Sequence, residues 1–278
     1  MSFAWLIYDK EGAARNQDYI DWHFRIGREY GITFELKLAE QLWPIVRKNS
    51  VVFPDFAIVR TIQPALSEEL ENRGIPVFNS SFVSKICNHK GKTIDYIKQN
   101  TSVPVIQTAS FSVNKLSEKL LVDYRGCVIK SVDGHGGKQV FRMEDDWEKI
   151  QEGIGTSDFI IQPYVRGPGK DVRVYVIGNQ IVGAVERTAK NGFKSNFSLG
   201  GAVKSCEVTG VNLSYVREIC HVISFGMVGI DFIINEKEQW IFNEIEDVVG
   251  ARMLYQCQPD CHLLERYFTF ILDYLLHC

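Results

Sequence analysis

Three acidic residues late in the chain stand where burial makes charge expensive. Asp231 interrupts residues 227–234, which are otherwise apolar and rich in β-branched side chains, and Glu244 and Glu246 close the extended, half-apolar stretch 239–246. Asn235, Glu236, Lys237 and Glu238 form a polar break between the two segments, so the pair reads as a β-hairpin. A turn centred near Lys237 sets Asp231 opposite Glu244, and Glu246, two residues on, shares the face of Glu244. Like charges opposite one another destabilise a sheet, so this trio calls for cations. Oxygen-only ligation with no His or Cys nearby points to Mg²⁺ or Mn²⁺, and Mg²⁺ commonly arrives with nucleotide phosphates. The alternative is a solvated sheet face with scattered acids, and the strongly apolar flanks speak against it.

A second candidate is Lys130, set inside the apolar run 127–132, where burial of an ammonium needs a counter-charge. Gly134, His135, Gly136 and Gly137 follow, and glycines let backbone N–H groups approach an anion closely. A strand lysine, a glycine-rich connection and a distant acid cluster together suggest a triphosphate held between two lobes. A tight hairpin turn explains the glycines equally well, and no GxxxxGK[ST] phosphate loop occurs. A third set is basic: Arg173, Arg187 and Lys194, with Asn196 close by. Arginine grips carboxylates and phosphates with two parallel donors. Asp171 shares a strand face with Arg173, so ordinary cross-strand ion pairing of Asp171 or Glu186 with an arginine is the competing reading.

The elements that must position these residues can be read from periodicity. Over residues 1–85 strands (5–8, 33–38, 56–59) alternate with helices (18–30, stopped by Gly31, and 67–73, closed by Gly74), which implies a small parallel α/β unit. Its first strand is followed by no glycine fingerprint, so a dinucleotide site there is not expected. Helical patterns follow at 81–99, 115–124 and 145–151, and a β-hairpin is built around the Gly134 loop. A strand at 159–162 runs into Pro163, Tyr164 and Val165; a hairpin 172–177/180–186 turns at Gly178-Asn179, and an amphipathic helix spans 262–277.

With 278 residues, 45% hydrophobic and 23% charged, the chain has the composition of a globular protein with room for more than one lobe. A net charge of −3 without a basic run gives no expectation of nucleic-acid binding, and no apolar run is long enough to span a bilayer. The N-terminal residues read as a first strand, without a basic leader or cleavage site. Seven scattered cysteines with no CxxC pair fit a reduced, cytoplasmic setting. Cys257, Cys261 and His262 lack a second ligand pair at zinc spacing.

The order of these motifs resembles the ATP-grasp superfamily and, within it, the RimK-like carboxylate–amine ligases. Lys90, Lys130 with its glycine-rich hairpin, the hinge 161–165, the run 169–176, Arg187, Lys194-Ser195-Asn196, Gly200-Gly201, Gly229-Ile230-Asp231 and Asn243-Glu244-Ile245-Glu246 follow one another as in that family, and Arg60 and 74–80 match its N-terminal lobe. The resemblance implies an α/β (α+β) ATP-grasp fold: a parallel-sheet lobe at 1–85, a lid subdomain at 86–160 and a C-terminal subdomain with the metal site at 161–278, the last two gripping ATP. It implies that Lys90 and Lys130 contact phosphates, that Gly134, Gly136 and Gly137 cover them, and that Gln162, Pro163, Tyr164 and Val165 hold adenine. Asp171 is placed near the ribose. Asp231, Glu244 and Glu246 are implied to bind two Mg²⁺ (or Mn²⁺) ions, and Arg173, Arg187 and Asn196 to face the γ-phosphate and a substrate carboxylate, with Lys130 absorbing developing charge. Pro163 replaces the usual hinge acid and Glu246 the usual Asn, and Arg252 follows where the family commonly has a proline nearby. The implied activity joins an acylphosphate-activated carboxylate to an amine, one of the two an amino acid. The acceptor is left open among a small molecule, a peptide and a carrier protein, and a homo-oligomer is a family expectation. A kinase that stops at a phosphate ester and a non-catalytic ATP-binding module are the alternatives.

Overall fold

The computed structural model describes residues 1–47, 52–137, 139–188 and 202–277. The chain opens with β1 (Ser2–Tyr8), α1 (Lys10–Arg15), α2 (Gln17–Glu29), β2 (Ile32–Leu38), α3 (Ala39–Val46), β3 (Phe56–Val59), α4 (Pro64–Glu71) and β4 (Val77–Phe78). The strands form a parallel sheet in the order β2-β1-β3-β4. Residues Ala4, Trp5, Leu6, Ile7 and Tyr8 of β1 are all buried, the near-continuous apolar run of a strand covered on both faces. Gly31 and Gly74, at φ 71° and 77°, make the left-handed turns that end α2 and follow α4.

Next come α5 (Ser81–Cys87) and α6 (Lys90–Asn100). The sequence predicts one helical stretch over 81–99; instead it breaks at Asn88-His89. The Asn88 amide donates to the Asp247 carboxylate at 2.9 Å, and His89 caps the new helix by accepting from Lys92 N at 3.2 Å. Lys90 therefore stands in a helix, as expected, but at the first position of α6 rather than mid-way along one longer helix, and its own N–H bonds Val132 O at 2.8 Å.

A four-stranded antiparallel sheet follows, from β5 (Ala109–Phe111), α7 (Lys119–Asp123), β6 (Cys127–Ser131), β7 (Val140–Arg142), α8 (Trp147–Ile154) and β8 (Phe159–Pro163), in the order β5-β8-β6-β7. The helix expected over 115–124 is reduced to a 3₁₀ turn at Val113–Lys115 and the short α7, because Leu116 takes extended backbone and packs against the cluster around Ile129 and Phe141. The helix expected at 145–151 is displaced to α8, whose N-cap Asp146 accepts from Glu148 N at 3.1 Å.

The last sheet takes β9 (Lys170–Ile177), β10 (Gln180–Thr188), β11 (Ala202–Ser205), then, after α9 (Gly210–Val222), β12 (Met227–Ile234) and β13 (Trp240–Glu246). Its order is β11-β10-β9-β12-β13, and α10 (Arg252–Cys257) and α11 (Leu263–His277) finish the chain. The predicted hairpins at Gly178-Asn179 and Lys237 are present, with Asp231 paired to Glu244. Among the described residues no helix is long and apolar enough to cross a membrane.

The first and last sheets share a core. Leu6, Ile58 and Phe78 pack in one cluster with Tyr175, Met227, Leu264 and Phe268. Asn79 is the polar pin of this junction. Its amide donates to Met227 O, Asp247 O and Asp247 Oδ1 at 2.9, 3.0 and 2.7 Å, and its Oδ1 accepts from Gly226 N and Met227 N at 2.7 and 3.0 Å. Every polar atom of the buried side chain is used, so truncation leaves several buried groups unpaired. Asn79→Ala should lower unfolding free energy by about 3 kcal/mol or more in urea titration, whereas a surface change such as Glu118→Ala should stay within ~0.5 kcal/mol.

Candidate active site

The antiparallel register brings the chemistry into rows across the last sheet. Asp231 on β12 lies between Arg173 on β9 and Glu244 on β13, and Arg187 on β10 faces Asp171 on β9. Arg173 Nε and Nη2 donate to Asp231 Oδ1 and Oδ2 at 2.7 Å each, a two-pronged pair. Arg187 Nη2 donates to Asp231 Oδ2 at 2.7 Å and its Nε to Asp171 Oδ1 at 2.5 Å. Arg173 Nη1 also pairs with Glu246. Gly229 permits this packing: a Cβ there would meet Val249 Cγ2 at 2.8 Å and Arg173 Cδ at 3.0 Å.

Asp231 is only 1% exposed. Burial alone would raise its carboxyl, but Arg173 and Arg187 outweigh burial and hold it below its ordinary value. Burial works against Arg173 as well, and Asp231 and Glu246 overcome it, keeping the guanidinium well above its ordinary range. Glu246 goes the other way, raised by burial that Arg173 and Arg187 do not offset, with Asp231 and Glu244 adding to the rise.

The second part of the site is a cleft between the last two sheets, about 930 Å³ of atom-free space. Apolar walls come from Ile106, Val128 and Val140 on one side and Ile233 and Ile234 on the other. Gln162, Pro163, Tyr164 and Val165 form one end, and Lys90, Lys130, Gly137, Asn243 and Glu244 line it too, with Asp171 and Lys170. Lys90 Nζ lies 3.1 Å from Glu244 Oε2 and also bonds Gly134 O, so the glycine loop is tied to the acid cluster. Gly136 and Gly137 take φ of 64° and 71°, which side-chain-bearing residues rarely adopt. Lys130 Nζ donates to Asn243 Oδ1 at 3.1 Å, and burial pushes its ammonium down to about 8 despite Glu244. Glu244 is held below its ordinary value: burial opposes this, and Lys90 and Lys130 prevail.

A register shift in the β12–β13 pairing, between Asp231 and Phe232, makes Asn243 an extra residue in β13. Such a bulge re-aims side chains, and here consecutive residues, Asn243 and Glu244, both face the cleft. Strict alternation in the sequence hid this, and Asn243 was not assigned a role from sequence. Thr108 was also missed: its hydroxyl accepts from Gln162 Nε2 at 2.9 Å. Gln162 is 1% exposed, and its Oε1 has no partner among the described residues. An orphaned buried carbonyl on the cleft wall fits an amino donor from a ligand.

The cations called for by the acid trio are, in this structure, side chains. Asp231, expected to ligate metal, has both oxygens on arginines, and Arg173 and Arg187 lie behind it, outside the cleft lining. Among the described residues no three His, Cys, Asp or Glu side chains converge on one point. Glu244 and Glu246, about one-third exposed at their side chains, still fit Mg²⁺, which takes one or two carboxylates plus phosphate oxygens and water. The competing reading of Asp171 and Arg187 as a cross-strand ion pair is realised here, while Asp171 also lines the cleft. Asn196, like Lys194, Gly200 and Gly201, lies outside the described residues.

The family model of the RimK-like ATP-grasp domain matches residues 87–260. The chain is 26% identical over 224 residues to human N-acetylaspartylglutamate synthase A, covering 73% of this chain and 56% of that protein. It is also 26% identical over 187 residues to tetrahydromethanopterin:alpha-L-glutamate ligase of Methanosarcina acetivorans, covering 62% of this chain and 57% of that one. The chain thus spans less than two thirds of either relative's length. In fold it matches D-alanine–D-alanine ligase from Bacillus anthracis complexed with ATP, at a TM-score of 0.75 and 13% identity over 100% of this chain and 98% of that one.

Removing one partner from a buried ion network leaves its mates uncompensated. Asp231→Asn should lower stability by about 3 kcal/mol or more in denaturant titration, and the added loss from Arg173→Met in the Asp231→Asn background should be much smaller than in the parent.

Proposed function

The chain belongs to the RimK-like ATP-grasp family, and from that membership we propose that it is an ATP-dependent ligase that joins a carboxylate to an amine with release of ADP and phosphate, one substrate being an amino acid. The observation that supports this most is the cleft itself. A cavity with apolar walls and one unsatisfied buried carbonyl, Gln162 Oε1, runs into lysines and carboxylates that face one another. Adenine would sit between the apolar walls, its amino group on Gln162 Oε1, with backbone atoms of Tyr164 and Val165 in reach; Pro163 offers no N–H there. Lys90, Lys130 and the Gly134–Gly137 loop would hold phosphates, and Asp171 would face the ribose end. Glu244 and Glu246 would hold Mg²⁺, and Asp231 would join them only if its arginines turned toward incoming anions. Bound there, Mg²⁺ supplies charge neutralisation at the phosphate oxygens. We assign residues 1–85 to a substrate lobe, 86–160 to the lid and 161–278 to the metal-binding part.

The chain's residues need do little covalent chemistry. A substrate carboxylate attacks the γ-phosphorus, ADP leaves, and an acylphosphate forms; an amine then attacks the acyl carbon and phosphate leaves, giving an amide. Lys130 lines the cleft where charge would develop, and Arg187 and Arg173 would reach it on turning away from Asp231. Glutamate and N-acetylaspartyl groups name the substrates of two relatives, and they are the first candidates for this chain.

Phosphate release from Mg-ATP against amino acids, singly and in pairs with other carboxylates, should depend on a specific pair and yield a product lighter than the pair by one water. A product heavier by a phosphate group would instead indicate a kinase. Glu244→Gln should reduce this turnover by about 10²-fold or more, and unchanged activity would remove Glu244 from the metal site. Lys130, with its pKa near 8, is cationic below that pH and neutral above it. Nucleotide affinity of the parent should therefore weaken as pH rises from 7.5 to 9.5, by at most about tenfold per unit, while Lys130→Arg, whose guanidinium stays charged, should give a flat profile in titration calorimetry.

A further inference from the structure

Among the described residues, one long sheet edge stands unpaired. β2 is the outer strand of the first sheet, seven residues long, and β1 is its only strand neighbour. Alternate residues of a strand turn their N–H and C=O groups to opposite sides, so half of those in β2 point away from β1. Among the described residues, no loop backbone or side chain hydrogen-bonds the backbone of residues 32–37. The other edges are shorter or covered. β4 has two residues, β5 and β7 three each, and β11 four. β13 is as long, but Phe242 N donates to Pro104 O at 2.8 Å and Val105 bridges to the same residue. A long open edge is a template for a further strand.

The side chains of β2 select which strand fits. Thr33, Glu35 and Lys37 lie on one face, and Phe34, Leu36 and Leu38 on the other. The apolar set packs on the core cluster that holds Leu6 and Phe56, yet stays partly exposed. A second copy of this strand, laid antiparallel about a two-fold axis normal to the sheet, keeps like faces together. With the axis at Leu36, that residue meets its own counterpart and Phe34 meets Leu38. On the opposite face Glu35 falls opposite Lys37, twice over, so both cross-strand pairs join opposite charges. Within one chain Lys37 Nζ lies 2.6 Å from Glu35 Oε1 and 5.2 Å from the Trp5 ring centre. Across the axis the four charges alternate in sign. Moving the axis to Glu35 sets Glu35 against Glu35 and Lys37 against Thr33, which is unfavourable. Edge charges commonly repel a second strand, but an acid and a base two residues apart attract one in this register.

We propose that the β2 edge is a self-association surface. Two copies of the chain pair antiparallel through residues 32–38, about an axis at Leu36, and join their first sheets into one continuous sheet. No residue of β2 lines the cleft, so association can be tested apart from the ligase reading.

Sedimentation velocity of the full chain over about 1–100 μM should show a monomer–dimer equilibrium, with twice the chain mass at the top of the range. Glu35→Lys sets like charges opposite one another at both pairs and should weaken association about tenfold or more, as should Lys37→Glu. The double variant Glu35→Lys with Lys37→Glu exchanges the signs and should recover association to within about threefold of the parent. Amide exchange of residues 32–38 should slow with rising chain concentration in the parent and not in Glu35→Lys. A parent that stays monomeric throughout the range overturns the proposal. A folded Glu35→Lys chain that dimerises like the parent does so too, since the contact then lies elsewhere. A folded double variant that stays monomeric contradicts the charge register and overturns it equally.

Discussion

The structure depends on one buried carboxylate shared by two buried guanidinium groups. Asp231 is fully surrounded by protein, and it can remain ionised there only because Arg173 grips both oxygens and Arg187 one of them. The arginines in turn can remain buried only because Asp231, Asp171 and Glu246 face them. Isolated, any of these charges would carry a desolvation penalty of several kcal/mol. Together they fix the register of β9, β10, β12 and β13, since a slip of one residue in any strand would put a charge on the apolar face. Lys90, Lys130 and Glu244 extend this network into the cleft, so that the site is close to electrically balanced before a nucleotide brings its own charge.

That balance explains why the fold can hold such a polar centre and still respond to a ligand. Under the proposed function, anionic phosphates would offer the lysines and arginines new partners, and an arginine released from Asp231 would leave a carboxylate able to meet a metal ion. The glycine loop is coupled to the same exchange through the Lys90 contacts with Gly134 and Glu244. The N-terminal sheet is joined to this centre through Asn79 and through the Arg60 contact with Val249, which places residues 249–250 between the two parts.

Much of this was legible in the sequence because charge in apolar strands is costly and stands out. Asp231 opposite Glu244, the Gly178-Asn179 hairpin and the terminal helix follow from alternation and turn chemistry alone, and the RimK-like family was recognisable from motif order. What escaped was set by tertiary contacts. The break between α5 and α6 is made by Asn88 reaching Asp247, 159 residues away in sequence, which no local pattern encodes. The bulge at Asn243 turns on one extra residue in a strand whose apolar periodicity reads normally on both sides. The acid trio announced a need for cations, but side-chain cations and metal ions answer that need alike.

The most direct test of the central claim follows oxygen atoms. With the carboxylate substrate labelled in both oxygens with ¹⁸O, and ATP, Mg²⁺ and the amine unlabelled, the ligase account predicts one ¹⁸O in each phosphate released and one retained in the amide, because the carboxylate oxygen that attacks the γ-phosphorus leaves with it. Released phosphate without label, in amounts matching ADP, would contradict the account, since the carboxylate would then never have carried the phosphoryl group.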